Sequence, residues 1–146
     1  MDESGSKAPS EREVASSSPS RTSKANGVPH VLIVEDSDLV SGALRLLFEQ
    51  TGHRVSVAAT VASAVAAVLQ DVPDLMLLDL TLPDGEGTLV LERLQEAGRM
   101  PRVVVGLTGH DEPELVARCT ALGCADVLLK PVPTRELLRR TEEWLR

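Results

Sequence analysis

From His30 to the end of the chain, short apolar runs alternate with amphipathic stretches. Val31-Leu32-Ile33-Val34 is β-branched and uninterrupted by polar residues, which predicts a strand buried on both faces. Ser37 or Asp38 then caps a helix carrying Leu39, Val40, Ala43, Leu44 and Leu47, and Gly52 ends it. Val55 to Ala58 predicts a second strand, and Thr60 caps an Ala/Val-rich helix to about Gln70. After Pro73, Leu75-Met76-Leu77-Leu78 predicts a third strand, and Leu82-Pro83-Asp84-Gly85-Glu86-Gly87 a loop. A helix is predicted from about Thr88 to Ala97, and a fourth strand from Val103 to Leu107. Pro113 suits the first turn of a further helix, which Gly123 stops after about Leu122. Val127-Leu128-Leu129 predicts the fifth strand, and Thr134 caps a last helix that is amphipathic through Leu137, Leu138 and Leu145.

Five strand–helix units follow one another in this stretch. Strands with no polar alternation need cover on both faces, so the prediction is an α/β fold with a parallel sheet flanked by helices. Right-handed crossovers make that sheet doubly wound. Ligands of such folds bind beyond the carboxyl ends of the strands. Residues 1–28 differ in character: eight Ser, balanced charges and almost no large apolar side chains. Such a segment buries too little apolar surface to offset its chain entropy, which predicts a disordered tail before one domain spanning 29–146.

Composition narrows the classes of function. Only 1% of the 146 residues are aromatic, so there is no set of rings on which to stack unpaired bases. A net charge of −7 argues against a nucleic-acid phosphate binder, and it leaves carboxylates free for a hard cation. All of that charge lies after residue 28. Cys119 and Cys124 make neither a disulfide framework nor a four-ligand zinc site, and they read as buried or half-buried free thiols in a reducing compartment. The start of the chain has no secretory pattern, and no run approaches the roughly 18 apolar residues of a membrane span. A cytoplasmic protein is expected, with no nucleic-acid or membrane partner.

The strand ends carry the chemistry. The first strand ends in Glu35-Asp36, the third in Asp79, the fourth in Thr108 and the fifth in Lys130-Pro131. Each alone is an ordinary polar residue at a strand end, but together they converge on the edge where this fold binds ligands. Three close carboxylates repel, and all-oxygen ligands with room for water suit Mg²⁺. Lys130 adds a point cation fit for a phosphoryl oxygen, and Thr108 a hydroxyl donor. Cation and lysine together can balance the charge of a transferring phosphoryl group, with Asp79 as the nucleophile that forms an aspartyl phosphate.

The segments Val31-Leu32-Ile33-Val34-Glu35-Asp36, Leu77-Leu78-Asp79-Leu80-Thr81-Leu82-Pro83-Asp84-Gly85-Glu86-Gly87, Val105-Gly106-Leu107-Thr108-Gly109 and Leu128-Leu129-Lys130-Pro131 occur in this order. In this the chain resembles the response-regulator receiver domain of two-component signal transduction, over about residues 30–146. The resemblance implies a flavodoxin-like fold, with five strands in the order 2-1-3-4-5 and five helices. It implies that Asp79 accepts phosphate from a sensor histidine kinase or a phosphotransfer protein in a phosphorelay. It further implies Mg²⁺ bound directly by Asp36 and Asp79, through water by Glu35, and by the backbone carbonyl of Thr81. Lys130 would pair with the phosphoryl group, and Thr108 would move toward it, shifting the loop and helix that follow. Lys130-Pro131 is expected to be cis, a form tolerable only before proline. Gly109 would keep phosphate access open. Thr81 and His110 would border the site and tune dephosphorylation, His110 either touching the phosphoryl group or standing as an exposed loop histidine.

One position departs from the family. The aromatic residue often found three positions before the lysine is Val127 here, a β-branched side chain with few rotamers and little reach. The usual Thr-to-aromatic coupling cannot operate in its ordinary form. The face of the fourth helix, fifth strand and fifth helix (Leu115, Arg118, Val127, Arg135, Leu138, Arg139) is the expected surface for a downstream protein target, unless its apolar members are core. Since no output domain follows Arg146, the signal would pass to a separate protein. Beyond self-phosphotransfer and autodephosphorylation, no enzyme activity is expected. The alternatives are a non-phosphorylated adaptor with a receiver-like fold, a receiver segment of a hybrid histidine kinase, and a phosphohydrolase of the haloacid dehalogenase type. The last would want a second Asp where Thr81 stands.

Overall fold

In a computed structural model of the chain, which describes residues 28–145, the central sheet is built from apolar runs. Its strands are β1 (His30–Val34), β2 (Arg54–Ala58), β3 (Leu75–Asp79), β6 (Val103–Thr108) and β7 (Asp126–Leu129), in the order β2-β1-β3-β6-β7. Every pairing is parallel, for example Ile33 opposite Val57 and Leu77, and Leu77 opposite Val105. This is the predicted order of the five main strands. The two remaining strands, β4 (Thr81–Leu82) and β5 (Gly85–Glu86), form a small antiparallel hairpin within the segment expected to be a loop. The expected tail lies outside the described residues apart from Val28.

The five helices are α1 (Asp38–Gln50), α2 (Val61–Gln70), α3 (Thr88–Ala97), α4 (Pro113–Ala121) and α5 (Thr134–Trp144). Alternate residues of each strand serve opposite faces of the sheet. Leu32, Val34, Met76, Leu78 and Val104 pack under α2, α3 and α4 with Ala64, Val68, Leu91 and Leu94. Val31, Ile33, Leu75, Leu77, Val105 and Leu107 pack under α1 and α5 with Phe48 and Leu137. The central strands β1 and β3 are buried along their whole length, which is why their sequences show no alternation.

Several local expectations are adjusted. Ser37 is the cap of α1, its hydroxyl accepting from the Val40 amide at 3.4 Å. Leu39 does not join the apolar face of that helix, since it is 84% exposed, whereas Phe48 is fully buried. Thr60 caps α2 in a reciprocal box with Ser63. Pro133, not Thr134, holds the cap position of α5, and Thr134 is the first helical residue. Cys119 and Cys124 are buried as expected, but they are bonded to each other as a disulfide and are not free thiols. The α4 helix ends in a tight turn that brings its last cysteine back over the next one, a closeness that spacing alone does not show. Lys130-Pro131 is cis, as expected.

Candidate functional site

The carboxyl ends of β1, β3, β6 and β7 deliver Glu35, Asp36, Asp79, Thr108 and Lys130 to one edge of the sheet. Glu35 continues β1, its amide donating to the Ala58 carbonyl at 2.9 Å. Its side chain is turned into the fold, where it is 2% exposed. Its carboxylate accepts from the Ser37 amide at 3.1 Å and from Lys130 Nζ at 2.9 Å. Asp79 ends β3 and is also buried; it accepts from the Thr81 amide at 3.0 Å and from Lys130 Nζ at 3.3 Å. Asp36 is exposed at the mouth.

One ammonium group therefore serves two buried carboxylates. Burial pulls the Lys130 pKa down, but the hydrogen bond to Glu35 and the charges of Asp79 and Glu35 outweigh it, and the net shift is upward. The lysine stays charged across the accessible pH range. Three carboxylates still face a single cation. Oxygens of Glu35, Asp36 and Asp79 lie within 4.8 Å of one another, the one such group of potential metal ligands among the described residues. An all-oxygen set with one exposed member and excess negative charge fits a hard divalent cation that keeps part of its water.

Thr108 is buried at the end of β6, and its hydroxyl is engaged in the loop that follows. It donates to the His110 carbonyl at 2.9 Å and accepts from the His110 amide at 3.3 Å. Gly109 and His110 are exposed beside it. A Cβ added at Gly109 would meet nothing within 4 Å. Pro131 is exposed and, with Lys130, lines one end of an apolar groove of about 510 Å³ between α1 and α5. Val127 is half-buried against the core layer under α4, and Leu115 lies within that layer. Arg118 turns away from the expected partner face: one of its nitrogens donates to both oxygens of Glu86, at 2.6 and 2.8 Å.

The sequence reading missed two supports of the site. A Cβ on Gly87 would overlap the Asp79 carbonyl oxygen and stand 2.9 Å from Leu80 Cα, so only glycine lets the start of α3 lie against the end of β3. Asp84 accepts from the Val61 amide at 2.8 Å and from the Ala62 amide at 3.2 Å, so it caps α2 from the hairpin after Asp79. The Val61 hydrogen bond in particular holds the Asp84 carboxyl below its ordinary pKa. The Pro-Asp-Gly string signals a turn, but no local signal discloses a helix end 23 residues away.

Comparison with known proteins agrees with this geometry. The family model described as the response regulator receiver domain matches residues 31–142. The chain is 32% identical over 119 residues to the transcriptional regulatory protein AfsQ1 of Streptomyces coelicolor, covering 82% of this chain and 52% of that protein. It is 30% identical over 129 residues to the chemotaxis protein CheY of Treponema pallidum, covering 84% and 88%. A solved CheY-like response regulator receiver domain from Methanospirillum hungatei JF-1 superposes with a TM-score of 0.75 at 29% identity, covering 81% of this chain and 94% of that one. The chain spans about half the length of the first curated relatives it matches, among them AfsQ1, TorR and KdpE. With its parallel sheet, its strand order and the acidic group at the carboxyl edge, this chain belongs to the response regulator receiver domain family.

Proposed function

We propose that the domain is a phosphoacceptor in a His-Asp relay, with Asp79 as the group phosphorylated. The observation that carries this reading is the Lys130 ammonium shared between Glu35 and Asp79, beside three carboxylates whose oxygens lie within 4.8 Å. An Asp79 oxygen attacks the phosphorus of a phosphohistidine on a sensor kinase or phosphotransfer protein. The P–N bond breaks, its electron pair returns to the imidazole, and an acyl phosphate forms on Asp79. Lys130 follows the charge from the carboxylate to the phosphoryl oxygens. Asp36, Asp79 and the Thr81 carbonyl would hold Mg²⁺ directly, and Glu35 through water. Bound there, the ion would neutralise the phosphoryl oxygens during in-line transfer.

Thr108 leaves the His110 backbone and turns its hydroxyl to the new phosphate, so the loop after β6 and the start of α4 shift. Because Val127 carries no ring, this backbone shift is the readout, delivered to a protein target at the α4–β7–α5 face through Arg135, Leu138 and Arg139. Arg118 and Leu115 are left out of that face, being paired with Glu86 and buried respectively. Gly109 leaves room for phosphate, and Thr81 and His110 border the path of attacking water. An acidic surface supports a protein target rather than nucleic acid, and among the described residues no helix is long and apolar enough to cross a membrane. A cytoplasmic location is part of the same reading.

The test is incubation with acetyl phosphate and Mg²⁺, followed by intact-mass and peptide analysis. One added phosphate on Asp79 is expected, and none in Asp79→Asn. Equal labelling of Asp79→Asn would show the assignment to be wrong.

A further inference from the structure

The disulfide lies where the site meets the readout face. Cys119 is in the last turn of α4, and Cys124 is in the turn leading to β7, with Cα atoms 5.6 Å apart. Three backbone hydrogen bonds already close the chain between them. Leu122 and Cys124 amides both donate to the Cys119 carbonyl at 3.1 Å, and the Gly123 amide donates to Thr120 at 3.1 Å. Gly123 takes the positive φ of +108° that such a turn requires. The turn brings the two cysteines to one another, and the covalent bond adds a side-chain link across it. A cross-link across so short a loop removes little chain entropy, so it is a weak staple for the fold.

Its position gives it another use. Cys119 Sγ packs onto the backbone of β6: a Cβ at Gly106 would stand 3.0 Å from that sulfur and 3.3 Å from Leu80 Cδ1. Leu80 follows Asp79, and Gly106 pairs with Leu78 on one side and Val127 on the other. The bond thus ties α4, the helix after Thr108, to the turn that leads into β7, the strand that precedes Lys130. Cys119 is fully enclosed and Cys124 is 8% exposed, so Cys124 is the less enclosed residue of the pair and the one taken as the point of attack.

We propose that Cys119–Cys124 is a reversible thiol–disulfide exchange site for low-molecular-weight thiols, and that its oxidised form clamps α4 to the turn that leads into β7 and restrains the shift that follows Asp79 phosphorylation. The second half rests on the phosphoacceptor reading above. A small thiolate attacks Cys124 Sγ, the S–S bond breaks, and its electron pair leaves on Cys119, which takes a proton. A second small thiolate then attacks the sulfur of the mixed disulfide that belongs to the small molecule, and frees Cys124 as a thiolate, which takes a proton. Two small thiols are oxidised to one disulfide, and the protein disulfide is reduced to two thiols. Oxidation is the reverse, with the small disulfide as oxidant.

The experiment equilibrates the full chain across a series of reduced-to-oxidised glutathione ratios, quenches with a maleimide, and counts free thiols by mass. The bonded fraction is expected to fall smoothly along the series. A bond that persists throughout, or two free thiols throughout, overturns the proposal. Deuterium exchange of α4 is then measured in each redox state, with and without acetyl phosphate and Mg²⁺. The reduced protein should show a phosphorylation-dependent rise in α4 exchange, and the oxidised protein should lose that rise. Cys124→Ser should behave as the reduced protein at every ratio. Labelling of Asp79 with identical α4 exchange in both redox states overturns the clamp alone. Absence of labelling in both states overturns the phosphoacceptor reading and the clamp with it.

Discussion

Lys130 and Glu35 stand 95 residues apart in the chain and meet at 2.9 Å in the fold. The same ammonium reaches Asp79 at 3.3 Å, and both carboxylates are nearly sealed from solvent. Truncating the lysine leaves two enclosed negative charges with no counter-charge. Lys130→Met should therefore lose about 2 kcal/mol in urea unfolding with chelator present, a moderate figure because the lysine itself is part-exposed. Adding Glu35→Gln should recover part of that loss, since the two changes act on one network. A double variant as unstable as the sum of the singles would mean that the pair is not coupled.

Divalent cation should act on the same group from the solvent side. Mg²⁺ at about a hundredfold over its dissociation constant should stabilise the wild type by about 2.7 kcal/mol, read from thermal melts across a concentration series. Asp36→Asn, which changes the exposed member of the group, should abolish most of that shift. Calorimetry that finds no magnesium dependence in the wild type would rule out the cation site.

Gly87 and Gly109 flank the same site and should respond in opposite ways to one methyl group. Gly87→Ala forces a Cβ into the Asp79 carbonyl and should cost about 3 kcal/mol, with phosphate acceptance impaired as well. Gly109→Ala meets open space and should stay within about 0.5 kcal/mol of the wild type. Circular dichroism melts of the two variants provide the comparison.

At the opposite end of β1, His30 is buried, and its Nε2 lies 2.8 Å from the Ser56 hydroxyl. Burial first, and then the Arg54 charge, hold its pKa below 6.5 against the opposing pull of Asp71 and Asp74. The native state thus favours the neutral ring. Its full stabilisation is present above pH 6.5, and it is lost as pH falls from there toward the lower native value. His30→Gln should flatten the stability–pH curve over that interval in denaturant titrations. An unchanged slope would assign the pH dependence to other groups.

The strands and helices were legible because their signals are local. Unbroken runs such as Val31 to Val34 imply cover on both faces, and a cap such as Thr60 or a first-turn proline such as Pro113 marks a helix start within a few residues. Parallel order then puts the strand ends on one edge, so Glu35, Asp36, Asp79, Thr108 and Lys130 could be grouped from sequence. Leu39 misled because its helical position looks apolar while its neighbours leave it in water. Thr134 misled because a threonine just before an amphipathic run reads as a cap, whereas it is itself the first helical residue, after Pro133.

The sequence by itself determined the alternation of elements, the two-sided burial of the sheet and the edge at which charged residues gather. These follow from periodicity and capping, which act over one or two turns of chain. Only the tertiary structure decided that Lys130 bridges two carboxylates, that Asp84 caps a distant helix, that Gly87 must clear a carbonyl, and that Cys119 meets Cys124. The first three depend on the angle and distance between packed elements, which no window of sequence encodes, and the cysteine pair depends on the turn geometry at Gly123.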